Sequence, residues 1–127
     1  DHFKAVNDAG GHQAGDRVLR DLALCMAREL RGGDDLYRVG GDEFAAVLVG
    51  ITDPQQALEV AERVRAVARG AGTTVSVGIA SGLAGELDGD ELFRRADAAL
   101  YRAKGGGRDA AVLWEPPVAT AADAAPA

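Results

Sequence analysis

Two carboxylates in succession, Asp42 and Glu43, follow two glycines, Gly40 and Gly41, between two apolar runs. The glycines admit positive φ and leave the space above the backbone open, so a bulky ligand can approach closely. Neighbouring side chains of a strand point to opposite faces, so one acid can bind a cation while the other does something else. Paired acids on such a turn are hard oxygen ligands, suited to Mg²⁺ that holds substrate phosphates. Taken alone, the same residues are also ordinary hairpin-turn chemistry with solvated acids.

The basic residues carry a second signal. Of 14 Lys and Arg, only Lys4 and Lys104 are lysine. A compact ammonium and a planar guanidinium do not substitute freely at a tight phosphate site. Lys104 also suits a helix C-terminus. Arg31 and Asp34 form an Arg-x-x-Asp just before the glycine turn, a spacing that in isolation usually means a surface ion pair. Asn7 and Asp16 are equally at home as helix caps, and His12 as a hydrogen-bonding loop residue.

These residues need elements to position them. Asp1 to Asp8 reads as a short helical turn with Phe3 and Val6 on one face, and Gly10, Gly11 and Gly15 predict a loop. A helix follows from about Asp16 to Leu30, its stripe being Val18, Leu19, Leu22, Cys25, Met26 and Leu30; Arg31-Gly32-Gly33 ends it. Leu36 to Val39 and Phe44 to Val49 read as strands, the second dense enough for the middle of a sheet. Asp53 and Pro54 start a helix running to about Arg69, with Ala57, Leu58, Ala61, Val64 and Val67 or Ala68 inward. Thr73 to Ala80 alternates as a strand. Asp88 or Asp90 caps a last helix to about Lys104, with Leu92, Phe93, Ala96, Leu100 and Tyr101 inward. Ala111 to Trp114 is an edge strand. Residues 115–127 are Pro- and Ala-rich and read as a disordered tail or linker. The fold class is α/β, one domain over residues 1–114, with helices flanking a mixed sheet whose hairpin is antiparallel and whose crossovers are parallel.

Composition narrows the classes. With 47% hydrophobic and 27% charged residues the chain can bury one core. A net charge of −6 argues against a general nucleic-acid surface, which needs a basic footprint. Cys25 is the single cysteine, so no intramolecular disulfide forms, and it reads as a small buried hydrophobe. No apolar run approaches the ~20 residues of a membrane span, and no signal peptide is visible. The chain starts at Asp1 and reads as a piece of a longer, cytoplasmic product, with membrane attachment of the parent left open.

Arg38-Val39-Gly40-Gly41-Asp42-Glu43-Phe44 resembles the signature of GGDEF-domain diguanylate cyclases. Asp1-His2-Phe3-Lys4, Asn7-Asp8, Gly11-His12 and Gly15-Asp16 resemble that family's N-terminal motif in order and spacing. Val75 to Ala80 resembles its later core strand. Arg95 to Lys104, followed by Gly107-Arg108, resembles its last helix. The resemblance implies a nucleotidyl-cyclase or polymerase-palm fold. It also implies that two GTP condense into cyclic di-GMP with release of two pyrophosphates, by a homodimer that needs Mg²⁺ or Mn²⁺. By resemblance Asp42 is a metal ligand, and Glu43 activates the 3′-hydroxyl or also touches metal. Gly40 and Gly41 admit the nucleotide. Asn7 and Asp16 read the guanine edge, with His12 in the same loop. Lys4, Lys104 and Arg108 contact the triphosphate. Arg31 and Asp34, supported by Arg63, resemble a product-inhibition site for cyclic di-GMP.

The sequence departs from the family in several places. The family shows Asp-x-Asp-x-Phe at the end of its first strand. Asp1 matches the second Asp, so the first, a metal ligand, is expected upstream with its strand, and a sensor domain beyond that. The intact gene product is then the active species, and activity of the fragment is not implied. Gly10 replaces an aromatic, the link from Ala68 to Thr73 is short, and Asp109 replaces a common Asn. The alternative from another class is a non-catalytic receptor for GTP or cyclic di-GMP, in which the turn acids are usually damaged. An inert dimerising domain leaves the two lysines and the Arg31/Asp34 pair unexplained.

Overall fold

The computed structural model describes Asp1 and residues 3–40 and 43–116, with the backbone alone for residues 3–7, Ala9, His12 and Gly40. His2, Gly41, Asp42 and residues 117–127 lie outside the described residues, and most of the expected tail with them. The elements are α1 (Phe3–Glu29), β1 (Asp35–Gly40), β2 (Glu43–Val47), α2 (Pro54–Gly70), β3 (Val77–Ile79), α3 (Gly89–Gly105) and β4 (Ala111–Leu113).

The predicted loop over Gly10 to Gly15 is a correction. It shrinks to one residue, Gly11, whose φ of 81° and ψ of 175° join two helical stretches within α1. Glycine weakens a helix by only about 1 kcal/mol relative to alanine. Gly10 and Gly15 can therefore stay helical while Leu19 and Leu22, both buried, anchor the longer stretch. Cys25 is half-buried and not fully buried as expected; it lines an open cleft of about 390 Å³ with Asp21, Leu24, Arg28, Val67, Gly70 and Ala71.

β1 and β2 form the expected antiparallel hairpin, with Leu36 opposite Ala46 and Arg38 opposite Phe44. A register shift lies between Arg38 and Gly40, and Gly40 pairs with Glu43. Among the described residues β2 pairs with β1 alone, and so is not the interior strand its density suggested. It ends at Val47, and Val47 and Val49 are about half exposed, at 48% and 50%.

α2 begins as its sequence dictates. Asp53 accepts from the Gln55 amide at 3.0 Å, and the Gln56 side chain accepts from the Thr52 and Asp53 amides at 2.9 and 3.2 Å. This capping box satisfies donors that the first turn leaves open. Ala61, Val64 and Ala68 face the core. Asp88 caps α3 by accepting from the Glu91 amide at 2.7 Å.

The inward face of α3 differs from expectation. Ala99 and Ala103 are buried, whereas Phe93 is 50% and Tyr101 79% exposed. The reason lies in β3. A Cβ on Gly78 would collide with the Ala96 carbonyl and the Leu100 amide. Helix and strand therefore meet at backbone distance, which small residues permit and a Phe or Tyr face does not. β3 is three residues, shorter than the predicted strand, and pairs in parallel with β4, Val77 opposite Ala111 and Ile79 opposite Leu113. The expected α/β class is observed, with helices flanking strands of both senses; among the described residues the strands pair as β1–β2, antiparallel, and β3–β4, parallel. α1 packs on α2, while α2 and α3 both pack on the β3–β4 pair. No helix among the described residues is long and apolar enough to cross a membrane.

Candidate functional site

β1 ends at Gly40 and β2 begins at Glu43. Glu43 is the first residue of β2 and is exposed, in register with Gly40 across the strand pair. A register irregularity lies between Arg38 and Gly40, at the end of β1. Gly41 and Asp42 lie outside the described residues, and Gly40 is described by backbone alone. Among the described residues no group of three His, Cys, Asp or Glu gathers. The exposed Glu43 carboxylate is nonetheless an oxygen donor of the kind Mg²⁺ or Mn²⁺ takes.

Lys4 and Asn7 belong to the first helical stretch of α1, before the break at Gly11, and His12 follows the break. Their side chains lie outside the described residues. Asp16 is exposed on the second stretch. The break at Gly11 thus separates Asn7 from Asp16, the two residues expected to read guanine.

Lys104 is half-buried in the last turn of α3, and Arg108 is exposed just beyond it. The Arg108 amide donates back to the Ala103 carbonyl at 3.0 Å. Gly107, Arg108 and Asp109 all have positive φ, at 114°, 65° and 47°. For Arg108 this backbone is costly and persists only where the surroundings over-determine it. Those surroundings are specific. Asp109 Oδ2 accepts from Arg69 Nε at 3.1 Å and Nη2 at 2.8 Å, and Oδ1 accepts from Arg65 Nη2 at 3.3 Å. Arg65 Nη2 also donates to the Asp109 carbonyl, and Arg65 Nη1 to Glu62. The Asp109 amide donates to Asp1 Oδ2 at 3.1 Å. Asp1 in turn accepts from the Thr74 and Ser76 hydroxyls at 3.0 and 2.7 Å. The Arg69 hydrogen bond, and then the charges of Arg69 and Arg65, hold the Asp109 carboxyl below its ordinary value of 3.8.

The other three predicted residues meet in one cleft of about 240 Å³. Arg31, Asp34 and Arg63 line it with Glu29, Gln56 and Glu59. Asp34 Oδ2 accepts from the Arg31 amide and Oδ1 from the Val49 amide, both at 2.9 Å. The Val49 hydrogen bond first, then that of Arg31, hold its carboxyl below 3.8. Each oxygen keeps a second lone pair for another donor. Arg63 pairs with Glu29. Guanidinium groups beside an ionised carboxylate can grip a phosphate and a guanine edge together.

The pairing of Arg63 with Glu29 and the Arg65–Asp109–Arg69 network are not legible in the sequence reading. The available signal was the spacing of Arg65 and Arg69, four apart on one helical face, with the carboxylate of Asp109 beside Arg108.

A family profile described as "Diguanylate cyclase, GGDEF domain" matches residues 1–110. The response regulator PleD of Caulobacter vibrioides is 42% identical over 124 residues, 88% of this chain and 27% of that protein. The probable diguanylate cyclase DgcT of Escherichia coli is 39% identical, covering 89% of this chain and 27% of that protein. The chain therefore spans only 27% of the length of these curated relatives. Among solved structures, the GGDEF domain of DgcB from Caulobacter crescentus in complex with c-di-GMP superposes with a TM-score of 0.77 at 34% identity. That match covers 89% of this chain and 72% of that one. The active GGEEF domain of a diguanylate cyclase from Vibrio cholerae superposes with a TM-score of 0.79 at 33% identity, covering 92% and 79%.

Proposed function

The chain belongs to the diguanylate cyclase GGDEF domain family, and on that premise we propose that it condenses two GTP into cyclic di-GMP as a metal-dependent homodimer with product inhibition. Each 3′-hydroxyl oxygen forms a bond to the α-phosphorus of the other GTP. The bond to the pyrophosphate leaving group breaks, and the hydroxyl proton goes to a carboxylate. Two such events close the ring and release two pyrophosphates.

The observation that carries this reading is the exposed Glu43 carboxylate at the first residue of β2. A carboxylate there can accept a proton and suits a general base. Asp42 and Glu43 would hold Mg²⁺ or Mn²⁺, which when bound neutralises phosphate charge. Gly40 and Gly41 leave room for the nucleotide. Asn7 and Asp16 bind the guanine, with His12 beside them, and Lys4, Lys104 and Arg108 bind the phosphates. Arg31, Asp34 and Arg63 bind the product and close the feedback loop. The reading extends to a parent protein with an upstream Asp-bearing strand and a sensor domain, acting in the cytoplasm without a nucleic-acid partner.

A second reading, a receptor for GTP or cyclic di-GMP without turnover, draws support from the cleft that Arg31, Asp34 and Arg63 line. One experiment separates the two. The protein carrying this chain together with the residues that precede Asp1 is incubated with GTP and Mg²⁺ or Mn²⁺, and the products are resolved by chromatography and mass spectrometry. Cyclic di-GMP and pyrophosphate are expected. GTP bound but unconverted would favour the receptor.

A further inference from the structure

We propose that Asp109, held by Arg65 and Arg69, is a positioning residue that pre-sets Arg108 for the phosphate end of the nucleotide. This rests on the reading that Arg108 contacts the triphosphate.

The residues flanking the Arg108 backbone are pinned from both sides. On one side its amide is tied to Ala103 at the end of α3. On the other, every polar group of Asp109 is engaged. The amide donates to Asp1, the carbonyl accepts from Arg65, and the carboxylate accepts from both Arg65 and Arg69. The Arg108 side chain itself stays exposed. The backbone that results, positive φ at Gly107, Arg108 and Asp109, would not persist without such restraint. A tether drawn from α2 therefore fixes a loop that begins on α3.

The chemistry at position 109 matters for this role. A carboxylate offers two acceptor oxygens and a charge, so it can serve two guanidinium groups at once. An amide offers one neutral acceptor oxygen, so it cannot give Arg65 and Arg69 an oxygen each or balance their charge. Arg65 is well placed to be the fixed half of the pair, its side chain only 13% exposed and also bonded to Glu62, whereas the Arg69 side chain is 58% exposed. Neutralising Arg69 should loosen the tether without opening the core.

The test compares Asp109→Asn and Arg69→Gln, singly and combined with Arg108→Ala, in the protein that carries this chain. Two ligands are titrated by calorimetry: guanosine, and a GTP analogue with a methylene between the α- and β-phosphorus that blocks turnover. Asp109→Asn should weaken the triphosphate analogue about tenfold, the scale on which lost pre-organisation shows, while guanosine binding stays unchanged. In the Arg108→Ala background, Asp109→Asn should add nothing further, because a residue that acts through another shows full coupling. Thermal midpoints of the ligand-free variants check the fold, and Arg69→Gln supplies the answer if Asp109→Asn does not fold. Equal losses with and without Arg108, or equal losses for both ligands, overturn the positioning role. If Arg108→Ala alone leaves the analogue's affinity unchanged, the phosphate-contact reading fails first and the proposal falls with it.

Discussion

Gly78 and Leu100 are in backbone contact: a Cβ on Gly78 would run into the Leu100 amide and the neighbouring Ala96 carbonyl. Strand β3 and helix α3 are seated this closely, and α3 carries Lys104 at its far end. Gly78→Ala must push the two apart. It should destabilise the domain by about 1–3 kcal/mol, the usual cost of overpacking. Urea unfolding should show a lower midpoint with an unchanged slope; an unaltered midpoint would contradict the close seating.

The helix that bears Arg63, Arg65 and Arg69 depends on its cap. Asp53→Ala removes the acceptor for the Gln55 amide and half of the capping box with it. A loss of about 1 kcal/mol is expected. Asp53→Asn, which keeps a capping oxygen, should recover most of it, and the two variants compared by thermal unfolding check the assignment.

Asp34 links acid stability to the hairpin. Its carboxylate accepts from amides at both ends of the β1–β2 unit, Arg31 before it and Val49 after it. These bonds lower its folded-state pKa beneath the ordinary 3.8. A depressed carboxyl contributes stability that is present above 3.8 and is lost as pH falls through the folded value. Asp109, also depressed, acts in the same direction. The stability gap between the wild type and Asp34→Asn should therefore be flat near neutrality and shrink below pH 3.8. Carboxyl carbon NMR titration should give Asp34 a midpoint below that value, and a midpoint above it would refute the hydrogen-bond account.

Glu43→Gln keeps the shape of the side chain and removes its basicity and charge. In the intact protein it should lower kcat on the order of 10²–10⁴-fold, the contribution of a positioned general base. The ligand-free thermal midpoint should stay unchanged, since Glu43 is exposed. Near-normal turnover would remove Glu43 from the catalytic role. Asp42→Ala should likewise abolish turnover while leaving the fold intact, read in the same assay.

Arg31→Ala takes a guanidinium from the cleft that also holds Asp34 and Arg63. Cyclic di-GMP should bind at least about tenfold more weakly, as loss of one charge-assisted contact implies. Initial rates at low product should not change. Unaltered cyclic di-GMP binding by calorimetry would dismiss the product-inhibition reading.

What was legible in the sequence follows physical range. The start of α2 was readable because Asp53-Pro54 and Gln56 settle it within four residues, and the hairpin because two glycines divide two apolar runs. The face of α3 was misread at Phe93 and Tyr101. Helical spacing marks which residues align, but a glycine on another element, Gly78, decides which row comes close. The Gly10 to Gly15 loop was overdrawn because glycine permits a break without requiring one, and only Gly11 uses it. Candidate site residues tied to local motifs were legible. The Arg65–Asp109 pair, separated by 44 positions, was not.

Each strand of this domain has a hydrogen-bonded neighbour on one side only among the described residues, in the pairs β1–β2 and β3–β4. Such strand margins are templates on which another copy can add. The charge of −6 opposes that encounter, and salt screens it. For residues 1–127 alone, association is therefore expected to depend on ionic strength. Light scattering should rise with added salt at neutral pH, and a peptide strand that occupies a margin should suppress it.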